Sequence, residues 1–183
     1  HPMVMIIVYT LVFSQIMRAR LPGRDDFGSF SYSIYLCSGL ISWNLFSDIL
    51  NRCTVTLHEQ GDFIKKLAFS PWLLFQATVA SALINFIITF FLFACVSFWI
   101  NALPVHLLFI YFLCVLALIL FATGCGVALG CLNVFLRDVQ QFLVVIFQLW
   151  FWFTPIVYRS DMLPEVAQKL LYFNPAYAFI EPM

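Results

Sequence analysis

The most informative polar residues of this sequence are Asn133, Arg137 and Asp138, which stand together in NVFLRD between two almost purely apolar runs. An asparagine can satisfy free backbone groups at a helix end, whereas arginine and aspartate are costly inside hydrocarbon. We therefore expect NVFLRDVQQ to be a turn, in or next to water, between two antiparallel helices. On physical grounds alone, a solvated turn with no further role is the simplest explanation.

A second pair of charges, Asp48 and Arg52, lies one helical turn apart in a largely apolar segment. This spacing predicts an ion pair. A proton relay is the alternative, but it would need another acidic partner inside the apolar segments, and none is present there.

Metal, disulfide and nucleotide chemistry are not indicated. The six cysteines lie in or beside apolar runs, form no CxxC pair and have no histidine at ligand spacing, so we expect small apolar side chains. No GxxxxGK(S/T) motif is present, so a Walker-type ATP site is not expected. We predict neither a metal nor a cofactor in this chain. Gly126 and Gly130 have GxxxG spacing, which favours close helix packing.

Composition determines the class of protein. The chain of 183 residues is 63% hydrophobic and 10% charged, has 22 phenylalanines and a mean hydropathy of +0.98. A soluble domain of this size has too small a core to bury so much apolar surface. Nine basic and nine acidic residues balance, so no basic face for nucleic acid is expected. The sequence predicts an all-α, polytopic integral membrane protein.

Five membrane spans are visible within a single transmembrane domain, residues 1–183. A helix needs roughly 20 apolar residues to cross a hydrocarbon core about 30 Å thick. The predicted spans are approximately residues 3–17, 32–52, 72–100, 105–132 and 140–157. A polar segment, 57–71, follows the second span, and a short helical segment, 160–173, follows the fifth.

Four stretches, in this order, resemble a known family. They are SWNLFSDILNRC, DFIKKLAFSPWLL, LNVFLRDVQQFLVVIFQLWFWFTPIVY and MLPEVAQKLLYFNPAYAFIE. Together they resemble the membrane (permease) subunit of bacterial type-2 ABC exporters for cell-surface polysaccharides such as O-antigen, capsule or teichoic-acid-type polymers. The resemblance covers essentially the whole chain. It implies six spans, and hence a chain trimmed at both ends.

The resemblance also implies that segment 57–71 is cytoplasmic and contains a coupling helix that docks on a separate ATPase. Phe63 and Ile64 would form its apolar knob. The charged rim would consist of Glu59, Asp62, Lys65 and Lys66. The NVFLRD turn would lie on the same side, and segment 160–173 would be a re-entrant element near the periplasmic exit. Counting lysines and arginines leans weakly toward the opposite orientation.

The implied partners are a second copy of the chain, which would complete the channel, and two ATP-binding subunits holding ATP and magnesium. The implied substrate is a lipid-linked polysaccharide. The implied location is the bacterial inner membrane, which the chain would cross several times in contact with lipid.

Sugar rings stack on aromatic planes, so the aromatic residues of the fifth span are candidates for a translocation path. Phe147, Trp150 and Phe151 share one helical face, and Trp152 adjoins them. An interfacial aromatic belt is the alternative. We expect only one or two of the four to line a path.

Three functions are alternatives to polysaccharide export. A membrane enzyme acting on lipid-linked sugars would need carboxylates or histidines converging at one depth, whereas those present are scattered. An ion channel would need a filter or a ring of charges. A permease for a drug or a small lipid also stays open.

Overall fold

Four α-helices make up the part of the chain that the computed structural model describes, residues 31–61, 70–99, 108–136 and 138–154. Helix α1 is Ser31–Glu59, α2 is Pro71–Trp99, α3 is Leu108–Phe135 and α4 is Val139–Phe153. No strand occurs among these residues, which confirms the all-α prediction for them. The predicted span 3–17 and segment 160–173 lie outside the described residues, as do residues 62–69 of segment 57–71.

Helices α2 and α3 are long and apolar enough to cross a membrane. The qualifying stretches are Pro71–Cys95, with 25 residues, and Leu108–Phe135, with 28. Pro71 suits the first turn of α2, because its φ is already helical and it has no N–H to leave unpaired. Both helices expose many isoleucine, leucine and phenylalanine side chains, as expected of surfaces in contact with lipid tails. The length and composition of α2 and α3 are those expected of membrane spans.

Helix α1 lies at the centre of the described bundle and packs against α3, α2 and α4. Its core residues Phe46, Ile49 and Cys53 are fully buried. The helix continues to Glu59, beyond the predicted end of the second span at residue 52. No proline or glycine interrupts residues 53–59, and the hydroxyls of Thr54 and Thr56 donate to carbonyls one turn earlier. The first residues of the predicted coupling segment thus continue α1.

The GxxxG pair brings α3 into backbone contact with α1. A Cβ atom added at Gly126 would lie 2.7 Å from the Cβ of Cys53, and one at Gly130 would lie 2.8 Å from the Cys53 carbonyl oxygen. No larger residue fits without displacing α1, so the predicted packing role of these glycines is confirmed.

Helices α3 and α4 are joined by a turn that is shorter than the sequence suggested. Helix α3 extends to Phe135 and α4 begins at Val139, whose N–H donates to the carbonyl of Leu136. Asn133, which was expected in the turn, is a helical residue of α3.

Candidate functional site

A stripe of polar side chains runs along the face of α1 that looks toward α2. The spacing follows the helical repeat, so these residues project from one face. They are Asn44, Ser47, Asp48, Asn51 and Arg52. Helix α2 carries a shorter polar stripe at intervals of four residues, made of Ser81, Asn85 and Thr89.

The α1 stripe, together with Asn85 and Thr89 of α2, borders a cavity of about 420 Å³, which we call the polar groove. Apolar residues complete its walls. Among the residues that the structure describes, the lining consists of Ile41, Asn44, Leu45, Ser47, Asp48, Asn51, Arg52, Ala82, Asn85, Phe86 and Thr89. Its volume lies in the range of roughly 300–1,000 Å³ that is typical of small-molecule sites.

An ion pair lies at one end of the polar groove. Arg52 Nε donates to Asp48 Oδ1 over 2.7 Å, which confirms the pair predicted from the spacing. Arg52 Nη1 also reaches across to Ser81 Oγ on α2, at 3.4 Å. The side chains of Arg52 and Asp48 remain 41% and 35% exposed, so the pair still faces the cavity. Within the described lining of the groove no second acidic residue accompanies Asp48, and a proton relay gains no support.

The remaining polar groups of the groove divide into two kinds. The hydroxyls of Ser47 and Thr89 and the amide of Asn51 donate to backbone carbonyls of their own helices. The side-chain amides of Asn44 and Asn85 are exposed and make no hydrogen bond to any residue that the structure describes. These two amides are therefore available to a ligand or to water.

The register of α1 and α2 places the groove midway along the apolar stretch of α2. Thr56 and Thr78 share a hydrogen bond of 3.1 Å, and Arg52 meets Ser81 further along. Continuing this antiparallel register puts Asp48 level with Asn85, near the middle of the apolar stretch Pro71–Cys95. Polar and charged groups at such a depth are expensive beside lipid and characteristically face a water-filled cavity or the protein interior.

The predicted coupling residues lie only partly within the described structure. Glu59 is the last residue of α1 and is exposed. Asp62, Phe63, Ile64, Lys65 and Lys66 lie outside the described residues.

The predicted turn residues divide between a helix and a turn. Asn133 is 3% exposed, and its Nδ2 donates to the carbonyl of Thr54 on α1 over 3.1 Å. Its Oδ1 is buried and has no partner among the described residues. Arg137 lies outside those residues. Asp138 is exposed at the N-cap position of α4 and makes no side-chain capping bond.

The aromatic face of α4 packs onto α1. Phe147, Trp150 and Phe151 all contact Trp43, with ring centroids at 6.5, 6.3 and 5.8 Å. Trp150 and Phe147 also contact Phe46, at 5.4 and 6.3 Å. These side chains contribute to the core between α1 and α4, away from the polar groove. The side chain of Trp152 lies outside the described part. A translocation role for the four residues stays a prediction.

Comparison with known proteins adds the family. The whole chain, residues 1–183, matches the ABC-2 type transporter membrane family. The chain belongs to that family. Membership makes it a transporter subunit rather than an enzyme, and it implies a partnership with an ATP-binding subunit.

Individual known proteins are similar to nearly the whole length of this chain. Two proteins of Klebsiella pneumoniae, each named O-antigen export system permease protein RfbA, are 25% identical over 182 residues, covering 98% of this chain and 67% of each relative. A Myxococcus xanthus protein of the same name is 25% identical over 177 residues, covering 96% of this chain and 65% of its own length. The ABC-2 chain therefore spans about two thirds of the length of these relatives.

Most residues of the groove in this ABC-2 chain were not predicted from the sequence. Asp48 and Arg52 were predicted to form an ion pair, but Asn44, Asn51 and Asn85 were given no role. The pattern that could have revealed them is the recurrence of polar residues every three or four positions within apolar segments. That pattern indicates a polar helix face at membrane depth, which needs a polar neighbour.

Proposed function

We propose that this chain is the permease subunit of an ATP-driven exporter that moves lipid-linked polysaccharide of the O-antigen type across the bacterial inner membrane. Two copies would form the channel, together with two ATP-binding subunits. The family and the names of relatives that match 98% of the chain support this proposal.

The observation that carries the proposal is the polar groove at the depth of the hydrocarbon core. A polysaccharide presents many hydroxyl groups, which lose their water when they enter a membrane protein and need hydrogen-bonding partners there. The exposed amides of Asn44 and Asn85 and the half-exposed Asp48–Arg52 pair offer such partners. Transport of a hydrocarbon-like drug would have no need of them, so the groove favours a hydroxylated substrate.

The energy for transport would enter through segment 57–71. Helix α1 connects the groove to this segment without a break, since Asp48, Arg52 and Glu59 belong to one helix. A push on the cytoplasmic end of α1 would therefore move the groove residues as a rigid unit. ATP and magnesium would be held by the partner subunit, and this chain would need no cofactor of its own.

Inside-out membrane vesicles containing the chain and its ATP-binding subunit test this function. We expect ATP to drive labelled lipid-linked polysaccharide from the outer surface of the vesicles into the lumen. Vesicles with a hydrolysis-deficient ATP-binding subunit serve as the control and should retain the polymer outside. Chemical modification of the polymer in vesicles without the ATPase would instead indicate an enzyme, and ATP-dependent movement of small lipids alone would indicate a different cargo.

A further inference from the structure

We infer that the polar groove between α1 and α2 is a binding site for a sugar unit of the transported polymer, and that it selectively binds neutral, hydroxyl-rich rings. The inference deepens the proposed function and rests on it. It assigns sugar recognition to Asn44, Asp48, Arg52 and Asn85, rather than to the aromatic residues of α4.

The polar groove contains hydrogen-bond donors and acceptors that are available to a ligand. Asp48 Oδ1 accepts from Arg52, but its other oxygen accepts no bond from the described chain. A carboxylate, a guanidinium and two amides together provide donors and acceptors on both sides of the cavity, which matches the mixed character of sugar hydroxyls. The cavity of about 420 Å³ has room for a small ligand of this kind.

The charges in the described lining of the groove balance. Asp48 and Arg52 are the ionisable residues in the described lining, and they compensate each other. A neutral ring can bond to the outer edges of both groups while the pair remains intact. An anionic sugar would have to compete with Asp48 for Arg52, and repulsion from the carboxylate would oppose it. The groove therefore favours neutral sugars.

The aromatic face of α4, which contains Phe147, Trp150 and Phe151, is packed against Trp43 of α1. Phe147 is 7% exposed, and its ring lies against Trp43 and Phe46. Such a ring offers no free face for stacking. In contrast, Asn44 and Asn85 are exposed at membrane depth, where an exposed amide needs a polar contact.

Cysteine labelling tests whether water and polymer reach the groove. The protein is the full chain assembled with its ATP-binding subunit in proteoliposomes, with Cys95, Cys114, Cys125 and Cys131 replaced by serine. Cys37 and Cys53 are buried and are retained. The test variant is Asn85→Cys, which removes one of the four assigned groups and keeps Asn44, Asp48 and Arg52 to bind the sugar. The matched control is Ile87→Cys, on the lipid-facing side of the same helix, where the isoleucine is 61% exposed.

A charged, membrane-impermeant thiol reagent should react at least about tenfold faster with Asn85→Cys than with Ile87→Cys, because thiolates form in water and not beside lipid. Lipid-linked polysaccharide extracted from the native host should slow the reaction about threefold at twice its dissociation constant, where two thirds of the sites are occupied. The carrier lipid without sugar should not slow it.

A second variant tests whether the Asp48–Arg52 ion pair takes part in binding the sugar. Replacing Asp48→Asn and Arg52→Gln together in the Asn85→Cys protein removes both charges without leaving one unpaired. Labelling should stay fast, because the groove remains wet, while protection by the polymer should disappear. If this variant does not assemble, Asn44→Ala in the same background should at least weaken protection.

Other labelling results would contradict either this inference or the proposed function. Slow labelling of Asn85→Cys would show that another segment or a second copy fills the groove, and would overturn the inference even if export is intact. Fast labelling without protection at saturating polymer would also overturn it, because Asn44, Asp48 and Arg52 remain in this variant to bind the sugar. If the unaltered complex exports no polymer, the proposed function fails instead, and protection of Asn85→Cys by polymer would still support a sugar site.

Discussion

Single residues fix the distance between α1 and α3 in this membrane protein. Gly126 and Gly130 allow the helix backbones to touch at Cys53, and nearby Gly124 serves as an internal comparison, because nothing lies within 4 Å of its missing Cβ. All three glycines are helical, so their intrinsic effect on helix formation is the same. Any difference between their alanine variants therefore reports packing against α1.

We predict that Gly126→Ala and Gly130→Ala each destabilise the protein by about 1–3 kcal/mol, the usual cost of overpacking a filled interface. Gly124→Ala should be neutral or stabilising, because alanine favours helix by up to about 1 kcal/mol. Thermal unfolding of the detergent-purified variants measures this. Equal melting temperatures for all three variants would contradict the contact with Cys53.

Asn133 links the same two helices by a buried hydrogen bond to the carbonyl of Thr54. We predict that Asn133→Ala lowers the free energy of unfolding by about 1 kcal/mol, the net value of a typical hydrogen bond. Asn133→Asp should cost more, since it loses the amide donor and places a carboxylate against a carbonyl oxygen. Melting temperatures across a range of pH provide the measurement. The Asp variant should recover toward Ala as its carboxyl becomes protonated at low pH, and an Asp variant as stable as Ala at pH 7 would argue against the bond.

The faces by which the helices pack together were harder to predict from the sequence than the helices themselves. Length and apolarity sufficed for α2 and α3, because lipid exposure leaves long uninterrupted apolar runs. The extent of α1 was underestimated, because the predicted second span ended at residue 52 where the sequence becomes more polar, whereas the helix continues to Glu59. Which face of α4 contacts α1 depends on tertiary packing with Trp43, which no local pattern determines. Asn133 was misplaced for the same reason, since its partner lies 79 positions away.

The packing of α4 on α1 gives a prediction that separates a structural from a transport role. Phe147→Ala should destabilise the protein by about 3–5 kcal/mol, because it opens a cavity beside Trp43 and Phe46. Phe142→Ala, on the same helix but 67% exposed, should have little effect. The measurement is the yield and melting temperature of each variant. A stable Phe147→Ala protein with impaired export would instead support the aromatic path.

One end of the whole described bundle contains the segments on which a partner subunit could act. The Thr56–Thr78 and Asn133–Thr54 contacts place the end of α1, the start of α2 and the α3–α4 turn together. In the proposed exporter this end faces the cytoplasm. A displacement applied to segment 57–71 would act on α1 and α2 at once, and these are the two helices that border the polar groove.

The proposed assembly predicts a fixed stoichiometry. Since each chain would supply half of a channel, two copies should purify with two ATP-binding subunits. Native mass spectrometry of the complex released from membranes should therefore give equal numbers of the two proteins and two of each. An unequal ratio, or a complex with a single permease chain, would contradict the dimer.

Phe63 lies in the predicted coupling segment, 57–71. An aromatic residue within a highly polar segment has little reason to face water, so we assign it as the knob that docks on the ATP-binding subunit. Truncation of a buried interface side chain commonly costs about 2 kcal/mol or more, or roughly thirtyfold in affinity. Phe63→Ala should therefore lose the ATP-binding subunit on co-purification and abolish export, while the permease still inserts in the membrane. Phe135→Ala is the matched control, since Phe135 is 84% exposed at the same end of the bundle but belongs to α3. Retention of the ATP-binding subunit by Phe63→Ala at the level of this control would mean that another side chain forms the knob, or that segment 57–71 faces the periplasm.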